Sequence, residues 1–137
     1  TSGFPSFMES SVARLSLLGA VLMAASCASA GAATDPLALY SGTPVARQAQ
    51  LQGRLVLDGA CLYIVAPGGE RWLAAFPSPG TRWEPGENAV EVGARRVRVG
   101  ETGGFAGGEA SDAPWVKAPD DSCDASKLWT VSTLMDP

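Results

Sequence analysis

The sequence contains no histidine among its 137 residues. Histidine is the general base of serine and cysteine catalytic triads and the commonest side-chain ligand of transition metals. Its absence excludes catalytic triads and metal sites that depend on histidine. The sequence also lacks the Gly-x-Ser-x-Gly motif that surrounds the nucleophilic serine of α/β-hydrolases. We therefore predict that the protein is not an enzyme, that it has no catalytic residues, and that it holds no metal ion and no cofactor.

Positive charge is also scarce, since ten Lys and Arg stand against 14 Asp and Glu and the net charge is −4. Contacts with a phosphate backbone require clustered positive charge, so we expect no nucleic-acid partner. One local concentration of arginine remains at Arg95, Arg96 and Arg98. Arg96 and Arg98 predict either a solvated strand face that deters edge-to-edge pairing or a contact with anionic cell wall or lipid headgroups.

Long hydrophobic runs are missing too. The longest apolar stretch, Leu15–Cys27, covers about a dozen residues, whereas a membrane-spanning helix needs roughly 20. It follows Arg14 and ends in small residues, which is typical of an export signal. Because Met8 is the natural start, we interpret residues 1–7 as an upstream extension or cloning remnant and residues 8–26 as a signal peptide.

Two cleavage sites compete at the end of this segment. The tetrapeptide Ala24-Ala25-Ser26-Cys27 is similar to the bacterial lipobox, in which small residues precede the cysteine that becomes diacylated. A cut after Ala28-Ser29-Ala30 would instead release a soluble periplasmic or secreted chain beginning at Gly31. We favour lipidation of Cys27, which would anchor the protein in the cell envelope, at the outer membrane of a cell that has one, facing the periplasm or the surface.

The chain has only three cysteines. If Cys27 carries lipid, Cys61 and Cys123 have one intramolecular pairing, and an oxidising envelope favours a disulfide between them. Such a bond would close a loop of about 60 residues and stabilise the fold by about 4 kcal/mol. Two separate buried thiols are the alternative.

The rest of the chain divides into a tether and one domain. Residues 27–48 are small and polar with two prolines and predict a flexible tether, and residues 49–137 predict a single β domain. Short apolar runs alternate there with Gly and Pro turns, and Asp58-Gly59 predicts a hairpin. We predict an all-β fold, a small antiparallel meander of six or seven strands closing into an OB-like or SH3-like barrel. The predicted strands cover residues 51–57, 61–66, 71–76, 81–84, 89–92, 95–99 and 128–133.

Two further features are candidates for a binding surface. The glycine-rich segment 100–108 is either a flexible lip that contacts a ligand through its backbone or a strand with bulges. Tryptophans of small β domains mostly fill the core, but Trp115 lies in the long loop 114–124 and is the one most expected to be exposed. Together with Arg96 and Arg98, the candidate binding residues are Trp115, Gly103, Gly104, Phe105, Gly107 and Gly108.

A series of short motifs runs through the same region: Gly53-x-Leu55, Asp58-Gly-Ala-Cys61-Leu62, Phe76-Pro77, Val99-Gly100 and a double-glycine segment. In this order they resemble a recurrent type of small bacterial exported β-domain protein that is often a lipoprotein. The resemblance covers residues 53–108. It implies a β fold and an envelope location, and it assigns no activity.

These observations favour a non-catalytic envelope lipoprotein, a tethered β module that binds a cell-wall component or an envelope protein. The membrane would be contacted through the lipid on Cys27. The alternative is a periplasmic inhibitor or immunity protein that blocks a toxin or a hydrolase, since small size, acidic charge and a disulfide suit that role as well.

Overall fold

The computed structural model of the protein describes residues 35–42 and 49–137. These residues form ten β-strands in two sheets, and they contain no helix long and apolar enough to cross a membrane. The predicted signal peptide, the lipidation site at Cys27 and most of the predicted tether lie outside the described residues. The strands are β1 (Leu39–Tyr40), β2 (Ala49–Asp58), β3 (Cys61–Val65), β4 (Arg71–Pro77), β5 (Thr81–Glu84), β6 (Ala89–Val92), β7 (Arg95–Arg98), β8 (Thr102–Ala110), β9 (Trp115–Lys117) and β10 (Leu128–Met135).

The prediction of an all-β fold is confirmed. The larger sheet has the strand order β10-β8-β2-β3-β4-β1-β9, and β5, β6 and β7 form a separate antiparallel sheet. The prediction of a wholly antiparallel meander is wrong, because β1 and β10 both pair with β4 in parallel. Since β10 also pairs with β8, the five strands β2, β3, β4, β10 and β8 make a closed circuit of pairings.

Local turn chemistry explains the hairpins. β2 and β3 pair from Arg54↔Val65 to Asp58↔Cys61, which leaves Gly59-Ala60 as a two-residue loop. Gly59 has a φ of 61°, a left-handed conformation that costs glycine little and side-chain-bearing residues more. Gly93, with a φ of 60°, starts the equivalent loop between β6 and β7.

The main core draws most of its residues from the five strands of this circuit. Its fully buried side chains come from alternate positions along the strands, as the period of two requires, and include Leu55, Ile64, Phe76, Phe105 and Val131. The small sheet adds its apolar face to this core. Its contribution consists of Val90, Val92 and Val97, with Trp83 packed against them.

A second apolar cluster covers the outer surface of β3 and β4. Tyr63 and Leu73 are buried there beneath Tyr40 and Ala113, which come from the segment before β2 and from the loop after β8. Residues 35–42 were predicted to belong to the tether, but they pack against the sheet. The backbone N–H of Phe76 donates to the carbonyl oxygen of Ala38 at 2.9 Å, so β1 adds to the edge of β4.

The predicted disulfide is confirmed. Cys61 and Cys123 are bonded, with 5.6 Å between their Cα atoms. Cys61 begins β3, and Cys123 lies in the long loop between β9 and β10. The bond therefore fastens that loop over the second cluster, into which both cysteines pack.

Candidate functional site

The glycine-rich segment forms strand β8, between β2 and β10, instead of a flexible lip. Gly103, Gly104, Phe105 and Gly107 are buried, and Gly108 is half-buried. Phe105 has no exposed surface and belongs to the main core. The interpretation as a strand is correct, but the irregularity lies on the neighbouring strand: the register shifts between Val131 and Thr133, where Ser132 is an additional residue of β10. These residues therefore do not make an exposed binding surface by themselves.

Close backbone approach explains why this strand is rich in glycine. A Cβ atom at Gly107 would overlap the carbonyl oxygen of Thr130 on β10. At Gly104 a Cβ atom would lie 2.9 Å from the carbonyl oxygen of Asp136, tighter than real Cβ contacts allow. Small residues thus let β8 lie close to its neighbours.

Beside β8 and β10 lies a cleft with a volume of about 620 Å³. We call it the β8–β10 cleft, and its residues come from four parts of the chain: residues 40–42, Ala49, the stretch within 107–114, and residues 129–130. Its volume is within the range of ligand-binding pockets, roughly 300–1,000 Å³. Its lining includes Tyr40 from β1, Gly108, Glu109 and Thr130 from β8 and β10, and Asp112 and Pro114 from the loop after β8.

Hydrogen bonds fix the polar groups of this cleft. The buried Tyr40 hydroxyl donates to the carbonyl oxygen of Val131 at 2.6 Å, and burial raises the pKa of this phenol, so it stays neutral. The Thr130 hydroxyl donates to the carbonyl oxygen of Gly108 at 3.0 Å. Both hydroxyl groups are therefore satisfied by the protein itself, and neither carries charge.

Charge in the cleft comes from two carboxylates. Glu109 and Asp112 are the acidic residues among those that line it, and both are exposed. Asp112 accepts a hydrogen bond from the backbone N–H of Ala113 at 2.8 Å. Within the described residues no lysine or arginine lines the cleft, and neither carboxylate forms a salt bridge. The described lining therefore carries negative charge alone.

Trp115, predicted to be the most exposed tryptophan, is half-buried against the second cluster, and the neighbouring Val116 is 59% exposed. Two other tryptophans are core residues: Trp72 and Trp129 meet edge to edge with ring centroids 5.6 Å apart. Trp115 thus does not belong to the lining of the β8–β10 cleft, although it lies next to Pro114, which does.

Arg96 and Arg98 lie on the outer face of β7, as the alternation predicted. Arg96 pairs with Glu87 at 2.5 Å and with Glu91 at 3.5 Å, and Arg98 pairs with Glu87 at 3.0 Å. Arg82 donates to Glu91 as well, and these arginine contacts lower the pKa of the Glu91 carboxyl. The arginines of this face pair with glutamates, so the charges of the face are balanced within the protein. The predicted solvated strand face therefore fits Arg96 and Arg98 better than a contact with anionic cell wall or lipid headgroups.

The acidic residues near the disulfide are held by local contacts. The hydroxyl and backbone N–H of Ser122 donate to Asp120 and lower the pKa of its carboxyl, and Ser126 does the same for Asp124. Within the described residues there is no group of three or more acidic or cysteine side chains placed to hold a metal ion.

Comparison of the chain with known protein families, with curated proteins and with solved structures finds no match. Sequence reasoning found Gly107 and Gly108 but missed Tyr40, Glu109 and Asp112. The acidic pair Glu109 and Asp112 stands at the end of a small-residue segment, which is a weak signal, and Tyr40 has no such signal because its place depends on a strand pairing distant in sequence.

Proposed function

We propose that the protein is a non-catalytic envelope lipoprotein, anchored through Cys27, whose β module binds a partner in the β8–β10 cleft. The observation that carries the proposal is the cleft itself, a ligand-sized concavity of about 620 Å³ whose lining includes the satisfied hydroxyl groups of Tyr40 and Thr130. The anchor is supported by the small residues before Cys27 and by the disulfide, which suits an oxidising compartment.

We further propose that the circuit of five strands is an OB-like barrel. In chain order the strands of the circuit are β2, β3, β4, β8 and β10. Around the circuit they therefore follow the order first, second, third, fifth, fourth, and the third and fifth strands, β4 and β10, run parallel. This order supports the OB-like alternative over the SH3-like one. The small sheet of β5, β6 and β7 is inserted between the third and fourth strands and closes one end of the core.

This topology bears on where a ligand binds. OB-like proteins bind ligands on the outer face of their second and third strands, which here are β3 and β4. In this protein Tyr63 and Leu73 on that face are buried under the chain's own Tyr40 and Ala113. The face on which OB-like proteins bind ligands is thus covered by the protein's own chain. We therefore place ligand binding in the β8–β10 cleft at the border of this face.

The proposal is tested in two measurements on protein expressed from Met8 in a bacterial host. Intact mass of the membrane fraction, beside a Cys27→Ala control, is expected to show fatty-acyl groups on a chain that begins at Cys27. A photo-reactive residue at Ala110, which lines the cleft, is expected to crosslink a wall fragment or an envelope protein, whereas the same residue at Arg82 on the small sheet is not.

An unmodified soluble chain beginning near Gly31 would refute the anchor. Equal crosslinking from Ala110 and Arg82, or none from either, would refute binding in the cleft. Specific capture of an exported hydrolase or toxin from Ala110 would keep the site but change the function to inhibition.

A further inference from the structure

The chain between β9 and β10 lies over the second apolar cluster with little burial of its own. On one side Lys117 pairs with β1, and on the other the carbonyl oxygen of Lys127 accepts a hydrogen bond from a backbone N–H of β4 at 2.8 Å. We call the nine residues between these two points, 118–126, the strap. Seven of the nine are exposed, and Pro119 and Cys123 are half-buried. The strap therefore gives little apolar surface to the fold.

Among the described residues, three polar or covalent contacts join the strap to β3 and β4. The backbone N–H of Asp124 donates to the Tyr63 hydroxyl at 2.9 Å, and the Asp124 carboxylate pairs with Arg71 at 3.7 Å. The third contact is the disulfide to Cys61, the first residue of β3. The hydrogen bonds between aspartate and serine described above lie within the strap itself, so they do not fasten it to the sheet.

The two polar contacts are too weak to hold the strap in place by themselves. The side chains of Arg71 and Asp124 are 42% and 55% exposed, and an exposed ion pair contributes little to stability. When the strap opens, the Tyr63 hydroxyl and the Asp124 N–H exchange their bond for bonds to water, so the net contribution of that bond is small as well. Fixing the backbone of nine residues costs more conformational entropy than these contacts return. The disulfide is therefore the main contact that keeps the strap closed.

We propose that the Cys61–Cys123 disulfide is a redox-sensitive latch, and that its reduction by a dithiol releases the strap while the two sheets stay folded. The main core does not depend on the strap, because none of its described residues comes from 118–126. Release uncovers the hydroxyl end of Tyr63, which is 3% exposed in the closed form. It also frees from Asp124 the Arg71 guanidinium, which lies 4.1 Å from the centre of the Tyr63 ring. This inference concerns a different surface from the β8–β10 cleft and goes beyond the proposed function.

The opening step is a thiol–disulfide exchange in which the dithiol is the electron donor. Its first thiolate attacks the sulfur of Cys123, which is half-buried, whereas Cys61 is only 4% exposed. The S–S bond breaks, Cys61 leaves as a thiolate and takes up a proton, and a mixed disulfide remains on Cys123. The second thiolate of the dithiol then displaces Cys123, which is protonated in turn. The protein gains two electrons and two protons, and the dithiol becomes a disulfide.

The test uses the full chain carrying Cys27→Ala, so that its only cysteines are those of the disulfide. Backbone amide NMR spectra are recorded before and after addition of dithiothreitol, and alkylation followed by intact mass shows that two thiols have formed. We expect the amide signals of Cys123 and Asp124 to move to the positions of an unfolded chain. The signals of Leu55 and Phe105, which belong to the main core, are expected to stay in place.

Two variants separate the disulfide from other effects of the reductant. Cys61→Ala with Cys123→Ala is expected to give the open spectrum without dithiothreitol and to show no change when it is added. Tyr63→Phe in the oxidised protein is expected to keep the closed spectrum, apart from signals next to the substitution, because the disulfide remains. Glutathione disulfide, added after the dithiol is removed, is expected to restore the closed spectrum of the reduced protein.

Strap signals that keep their positions after both thiols have formed would overturn the proposal, since packing would then hold the strap. Loss of the native signals of Leu55 and Phe105 together with those of the strap would also overturn it, because the disulfide would then support the whole fold. Resistance of the folded protein to dithiothreitol, or an open spectrum in oxidised Tyr63→Phe, would contradict the disulfide as the latch. None of these results alters the mass and crosslinking tests of the proposed function.

Discussion

Replacing Cys61 and Cys123 together by alanine is expected to lower the free energy of unfolding by about 4 kcal/mol. The two residues are 62 apart in sequence, and the logarithmic dependence of loop-closure entropy on this separation sets the magnitude. The effect is comparable to the whole stability of many small domains. For a unit of this size it corresponds to a fall in the melting temperature of roughly 20 °C.

The assay is equilibrium unfolding in urea, followed by tryptophan fluorescence, in the Cys27→Ala background with and without the double alanine change. The entropic argument places the effect in the unfolded chain, so reduction of the intact disulfide is expected to lower stability by a similar amount. The loop that carries Cys123 covers the second cluster, and hydrogen exchange is expected to quicken first at β9 and around Leu128. A loss below about 1 kcal/mol would refute the reasoning, because the disulfide would then not restrict the unfolded chain as the entropic argument requires.

Three further changes have definite expected outcomes. Gly107→Ala is expected to cost about 2–3 kcal/mol in urea unfolding because a Cβ atom would meet the backbone of β10, whereas Gly86→Ala, which faces open space, is expected to cost under about 0.5 kcal/mol. Tyr40→Phe is expected to cost about 1–2 kcal/mol, since the buried carbonyl oxygen of Val131 loses its donor; no change in thermal unfolding would contradict that bond. Arginine contacts hold the pKa of Glu91 below its ordinary value of 4.5, so the ionised carboxylate stabilises the fold above that pH and the contribution is lost as the pH falls through the lowered pKa. Glu91→Gln is therefore expected to flatten the decline of the melting temperature in acid, and an unaltered pH profile would refute the contribution.

Elements formed by neighbouring residues could be predicted from the sequence. The hairpin of β2 and β3 and the hairpin of β6 and β7 follow from alternating apolar residues around a glycine turn, and both are present. The disulfide followed from counting cysteines once Cys27 was assigned to lipid. In each case the relevant contact is either local or has only one available partner.

Elements whose structure depends on distant partners could not be predicted. β1 and β9 are two and three residues long, and each becomes a strand only because it pairs with another part of the chain, β1 with β4 and β9 with β1. β8 shows no apolar alternation because close approach to its neighbours requires glycine and alanine. The cleft depends on the same long-range pairings. For this reason its lining residues Tyr40, Glu109 and Asp112 could not be predicted from the sequence.

The packing of residues 35–42 against the sheet limits how far a lipid on Cys27 could hold the cleft from a membrane. Eight peptide units join Cys27 to Asp35, and eight units can span at most about 27 Å. A unit of about 100 residues has a radius of gyration of about 13 Å, or a diameter of roughly 35 Å. With a lipid on Cys27, the cleft would sweep a layer no deeper than about 60 Å above the bilayer. Partners fixed farther from the membrane would never meet it, and partners within that layer would encounter it at a high local concentration.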